Sequence, residues 1–188
     1  MSTSQIRFAP ISTEEMSVEQ KSAAAELING PRGGIRGPFH ALLRNPVLAD
    51  RVRQLGDSIR FENSLSPALR EFTILITARF WSAKYEWHAH SKLAAELGIS
   101  QEIIDSIGLG QKPSHLNQDE ALIYQFCMEI LENKDISDET YAATVNRFGE
   151  LTVLDILVTT GYFGFVSVIL NAIRQPVPEG GVQLPQRK

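Results

Sequence analysis

The sequence predicts an all-α chain folded as a single domain, and three observations carry that prediction. No stretch alternates polar and apolar residues for long enough to make a convincing strand. Apolar residues recur instead at helical spacing, as at Val52, Leu55 and Ile59, or at Leu122, Ile123, Phe126, Ile130 and Leu131. Serine or asparagine stands before many of these segments and glycine closes several of them, the punctuation of helix starts and stops. About seven or eight helices are expected. A chain of 188 residues with 43% apolar content suffices to bury one sizeable core.

In order along the chain, Ser12-Thr13-Glu14-Glu15 reads as a capping box opening a helix to about Asn29. Gly30–Pro38 follows, with four glycines and two prolines, and cannot continue that helix. It lacks the Gly-Lys-Ser/Thr ending of a phosphate-binding loop, so an irregular loop able to cover a pocket is expected. Phe39, His40, Leu42 and Leu43 begin a short helical turn, with His40 read as a surface or satisfied histidine. Asn45-Pro46 starts a helix to about Phe61, and Ser66-Pro67 starts another. The second carries Phe72, Ile74, Leu75, Ile76, Ala78 and Phe80, so it is apolar almost all round and should be buried, with Glu71 in its first turn. A break near Ser82-Ala83 and a helix from about Tyr85 to Leu97, stopped by Gly98, come next.

Ser100 caps a short helix with Ile103, Ile104 and Ile107 inward, Asn117 with Glu120 marks another start, and Ser137 heads a helix closed by Gly149. Leu151–Ile173 is the most hydrophobic segment. Its length would suit a membrane span, but Asp155 within it would cost about 2.5–3.5 kcal/mol at a bilayer centre. A core helix that also serves as a subunit interface is expected, with Gly161 and Gly164 admitting another backbone or a kink. The tail from Pro176 should be extended or mobile unless a neighbouring subunit holds it. The chain therefore divides into an N-terminal helix and Gly/Pro-rich loop (1–38), a helical domain (39–175) and an extended tail (176–188).

A net charge of −4 and a pI near 5.6 argue against a nucleic-acid or anionic-membrane surface. The single cysteine, Cys127, cannot form an internal disulfide. It falls in an apolar helical pattern, where a small buried hydrophobe is favoured over a reactive thiol. Met1–Gln5 lacks the basic region and apolar run of a signal peptide, so a reducing cytoplasm is the expected compartment.

The chemistry-bearing residues gather around the break at Ser82. Glu86 and His90 are four apart on one helix, hence on one face and in mutual reach, and Glu71 lies across the junction. Such a pair is often only a surface pair worth roughly 0.2–0.5 kcal/mol. His88 and His90 point about 200° apart on a helix and cannot share one metal ion. Arg79, alone in an apolar run, either pairs a buried carboxylate such as Glu71 or recognises a substrate carboxylate. Trp81, Tyr85 and Trp87 read as core aromatics, with a substrate-lining role as the alternative.

The leading Glu71, the apolar run behind it, Tyr85-Glu86-Trp87 and His90 resemble the carboxymuconolactone decarboxylase family, which is related to the alkylhydroperoxidase-like proteins. The resemblance is strong over residues 66–108 and continues more loosely through Leu122–Ile173. The alkylhydroperoxidase branch carries a Cys-x-x-Cys pair followed four residues later by histidine. The matching positions here are Ala83 and Glu86, so both thiols are missing and thiol peroxidase activity is not expected.

The resemblance implies the alkylhydroperoxidase-like fold of orthogonally bundled helices, a trimer or hexamer, and an active site at Glu71, Glu86 and His90. It implies decarboxylase-like chemistry without metal or organic cofactor on a small carboxylated lactone or related activated acid. There the substrate's own conjugated carbonyl takes the electrons, His90 carries the proton, and Glu71 and Glu86 orient or relay. Arg79, Trp81, Tyr85 and Trp87 are the candidate substrate contacts. A non-enzymatic or stress-related helical oligomer retaining the scaffold is the alternative, and convergence of Glu71, Glu86 and His90 on a cavity discriminates the two.

Overall fold

Short polar side chains take up the free amides at most of the helix starts. A computed structural model describes residues 6–187, and Ser17 opens the first helix, α1 (Val18–Asn29), through a capping box with Gln20. The start expected at Ser12 is displaced to this point. Ser12 and Glu15 do exchange hydrogen bonds, but Met16 turns into the core behind them and only an isolated turn results. The turn at Phe39 is a helix of its own, α2 (Phe39–Leu42). Asn45 accepts from Leu48 N at 3.1 Å to open α3 (Pro46–Phe61), and Ser66 accepts from Leu69 N at 3.3 Å to open α4 (Pro67–Phe80). There follow α5 (Lys84–Glu96), α6 (Gln101–Gly108), α7 (Gln118–Asn133), α8 (Asp138–Phe148) and α9 (Glu150–Ile173). The described residues thus form an all-helical fold of nine helices with no strand.

The centre is α4. Residues 71–79 are all buried on it, and α5, α6, α7 and α9 pack around it. Ile74 enters a core shared with Leu27 of α1, Phe39 of α2 and Phe163 and Leu170 of α9. Phe72, Leu75 and Ile76 enter a second core with Trp87, Ile104, Phe126 and Ile156. A helix that feeds two cores has no side left for solvent, which is why its sequence is apolar all round. Glu71 lies beyond the first turn of α4, not within it, so side chains and not the helix terminus must stabilise its charge.

The chain reverses at Ser82, whose φ of +51° is left-handed, with Ala83 fully buried beside it. This reversal lays α5 back along α4 and brings the facing sides of the two helices together.

The long helix α9 has the length and apolarity of a membrane span, yet 56% of its most apolar window is buried within the fold, as in a core helix. Gly164 faces the Trp81 indole, whose Nε1 stands 3.1 Å from where a Cβ would lie, so a side chain makes the close approach and not another backbone. The tail lies back on its own chain. Arg79 donates to Pro185 O at 2.8 Å, and Val182 N donates to His88 Nδ1 at 3.0 Å, so no neighbouring subunit is needed to order it.

Candidate active site

Three helices meet at the candidate site. Glu71 comes from α4, Glu86 and His90 from successive turns of α5, and Phe163 from α9. His90 Nδ1 lies 2.6 Å from Glu71 Oε2, and His90 Nε2 lies 3.3 Å from Glu86 Oε2. All three side chains are buried, none more than 7% exposed, so the surface-pair reading does not apply. The Phe163 ring stands edge-on to the imidazole, 5.1 Å between centroids, and fixes its plane.

Two carboxylates against one imidazole decide its charge. Burial alone pushes the His90 pKa down, but the hydrogen bond and charge of Glu71, with Glu86 adding to them, lift it from 6.5 to about 9. Burial likewise pushes Glu71 up, while the hydrogen bond and charge of His90, then Arg70 and Arg60, hold it below the ordinary carboxylate value. His90 is therefore an imidazolium at neutral pH. A carboxylate stands against each of its ring nitrogens.

A cavity of about 350 Å³ opens on this group, towards the small end of the usual size for small-molecule sites. Glu86 and His90 line it, together with Tyr85, Phe163 and the α3 residues Arg60 and Phe61. Most of the remaining wall is the Gly/Pro-rich loop. Gly37 N donates to Tyr85 Oη at 3.3 Å, and Arg32 pairs with Asp57 at 2.6 Å, which together pin the loop over the cavity. Gly37 has φ +57°, and a Cβ there would meet the Tyr85 ring at 3.3 Å, so the latch requires glycine.

No protein-family model and no curated protein matches the chain, but solved structures do. A peroxidase-related protein from Ralstonia eutropha JMP134, described as an alkylhydroperoxidase AhpD core, is similar over 94% of each chain at 15% identity, with a TM-score of 0.76. The chain has the alkylhydroperoxidase fold. A peroxidase-related protein from Silicibacter sp. TM1040 is similar over 98% of this chain and 100% of its own, at 14% identity and a TM-score of 0.78. A cysteine-to-alanine variant of the debrominase Bmp8, in complex with 2,3,4-tribromopyrrole, is similar over 94% of each chain at 14% identity, with a TM-score of 0.72.

At the two positions where the peroxidase branch would carry cysteines, Ala83 fills the buried reversal and Glu86 holds the imidazole. Cys127 is fully buried in the second core, with Sγ 3.8 Å from Thr160 Oγ1. Burial pushes its thiol up to about 12, so it carries almost no thiolate at neutral pH, and it does not line the cavity.

Among the four residues expected at a substrate, Tyr85 lines the cavity, while Arg79, Trp81 and Trp87 do not. Arg79 Nη1 donates to the carbonyls of Gly108 and Pro185 at 2.9 and 2.8 Å, which ties the end of α6 to the tail. It pairs with no carboxylate among the described residues, and Glu71 is taken by His90. Trp87 follows Glu86 on α5 and so points to the second core, and Trp81 packs over Gly164. No single element of the sequence signals the whole of the cationic wall, which Arg32 and Arg36 of the loop form with Arg60 of α3. Its one visible signal was a pair of arginines in a glycine-rich loop otherwise lacking charge.

Proposed function

We propose that this chain is a carboxymuconolactone decarboxylase-like enzyme. It performs cofactor-independent acid–base chemistry, decarboxylation or proton transfer, on a small carboxylated lactone or related activated acid. The observation that carries the reading is the buried Glu71–His90–Glu86 array opening on a small cavity. A debrominase with this fold holds a small ring compound, which favours an enzyme over a non-enzymatic oligomer that merely retains the scaffold. The same reading makes the protein a cytoplasmic homo-oligomer with no nucleic-acid or membrane partner.

In decarboxylation the bond from the substrate carbon to its carboxylate breaks and CO₂ leaves. The electron pair moves into the conjugated carbonyl and forms an enolate. The imidazolium of His90 then gives its Nε2 proton to the carbon, the carbonyl re-forms, and the neutral imidazole regains a proton from solvent. The two contacts differ in a way that suits this division of labour. Glu71 at 2.6 Å anchors Nδ1, while Glu86 at 3.3 Å stands on the cavity side, where it can relay the exchanging proton. A fixed, buried cation beside the developing enolate also stabilises it.

His90→Gln tests the reading. It should fold and assemble normally while losing roughly 10²–10⁴-fold in turnover on a panel of carboxylated lactones and activated acids. Turnover that is unchanged, or that falls only in step with the folded fraction, would defeat it.

A further inference from the structure

The wall of the cavity that His90 lines carries an unexplained charge. Arg60 lines the cavity from the last turn of α3, partly buried, with its guanidinium 5.3 Å over the Phe61 ring. Among the described residues it has neither a hydrogen-bond nor an ion-pair partner for that guanidinium. Arg32, on the loop, lines the same cavity, its guanidinium 4.8 Å over the Phe39 ring. Its Nε is used by Asp57 at 2.6 Å, while its buried Nη2 lies by the Tyr162 hydroxyl. Arg36 stands exposed on the same wall. Three arginines thus line a cavity whose lining holds one carboxylate, Glu86, already shared with His90.

A partly buried cation with no anion in contact is less favourable than one that is paired, and a ligand can supply that contact. Burial, then the neighbouring charge of Arg32, depress the Arg60 pKa below the ordinary guanidinium value although Glu71 and Glu86 pull the other way, and a bound anion in contact would oppose the depression. The remaining wall is apolar and aromatic, with Phe39, Phe61, Tyr162, Phe163, Leu93 and Val166. That combination suits a carboxylate on a small flat body better than a bare inorganic anion.

We propose that Arg60, backed by Arg32, is the substrate-anchoring site of this cavity and binds a carboxylate of a small planar acid, holding its body against His90. This rests on the acid–base reading above and assigns the recognition role to α3 and the loop instead of Arg79. The anchored carboxylate is a spectator. Pairing with a guanidinium stabilises a carboxylate in its charged form and so opposes its loss as neutral CO₂. The Arg32–Asp57 pair holds the loop arginine in register, so the loop contributes specificity as well as cover.

Benzoate and its neutral isostere benzamide serve as probes, titrated calorimetrically into the full chain near neutral pH. Benzoate should bind at least tenfold more tightly than benzamide. Arg60→Gln should weaken benzoate about tenfold and leave benzamide unchanged, with Arg60→Lys between. With no hydrogen bond or ion pair to lose, Arg60 can be replaced by these residues without breaking a contact of the fold, and the comparison of the two probes on the unaltered chain needs no variant. Equal binding of the two probes, benzoate affinity indifferent to Arg60→Gln, or inorganic phosphate binding as tightly as benzoate would each overturn the proposal. Binding is read without turnover. A chain that binds benzoate through Arg60 but has no activity loses only the acid–base reading, and one that is active without preferring benzoate loses only this inference.

Discussion

Glu71 Oε2 and His90 Nδ1 meet at 2.6 Å across 19 residues of chain, because the reversal at Ser82 folds α5 back against α4. The contact sits where neither partner is solvated, so each ion depends on the other. Its consequences can be measured.

The pair sets a pH dependence with a definite sign. The His90 pKa of about 9 in the folded chain exceeds the ordinary 6.5. Its stabilisation is therefore complete below the ordinary value and is lost as pH rises through about 9. The slope reaches at most about 1.4 kcal/mol per pH unit. Glu71, held below its ordinary value, contributes above that value and loses its contribution as pH falls through its folded pKa. Urea unfolding between pH 6 and 9.5 should show declining stability on the alkaline side in the unaltered chain and a flatter curve in His90→Gln. Parallel curves would mean that His90 is not held as a cation. The proton-donor activity should fall over the same alkaline range.

Glu71→Gln should lower the His90 pKa towards its ordinary value, visible as a shifted imidazole titration by NMR, because an amide cannot support an imidazolium. Turnover should fall with it. If the two residues act as one unit, the double variant with His90→Gln will be little worse than the worse single variant. Strictly multiplicative losses would argue that they work independently.

Cys127→Ala should leave activity intact and cost on the order of 1 kcal/mol, the effect of a small cavity in the second core. A folded Cys127→Ala chain with no turnover would reinstate thiol chemistry.

The outer side of α9 exposes Leu151, Leu154, Phe165 and Val168, more apolar surface along one helix than a lone domain usually presents. Assembly through this face is the expectation, with a trimer or hexamer implied by the family resemblance. Light scattering at micromolar concentration should report an oligomer, and Phe165→Glu should dissociate it. A stable monomer of the unaltered chain would dismiss the interface.

Much of this was legible in the chain itself, and the reason is that helix signals are local. Ser66-Pro67, Asn45-Pro46 and Asn117 with Glu120 mark starts that the structure uses, since a cap and its amide lie within one turn of each other. The i, i+4 spacing of Glu86 and His90 is a local fact too, and it survives folding as a 3.3 Å contact. Ser12 with Glu15 carries the pattern of a helix start, yet the helix opens at Ser17 behind the buried Met16, and burial is not a local quantity.

Only the tertiary structure could decide what each charged side chain meets. Arg79 and Arg60 look alike as isolated arginines in partly apolar segments. The packing of α6 and the tail gives the first its carbonyl partners, and the loop over α3 gives the second a cavity. Trp87 and Glu86 are neighbours in sequence but face a core and a cavity respectively, because helix geometry turns successive side chains apart. The helices and the Glu86–His90 face thus follow from signals within a turn or two of each other. The protonation of His90, the position of Glu71 against it and the cationic wall arise from elements distant in the chain, since a pKa and a pocket depend on what surrounds a group in space.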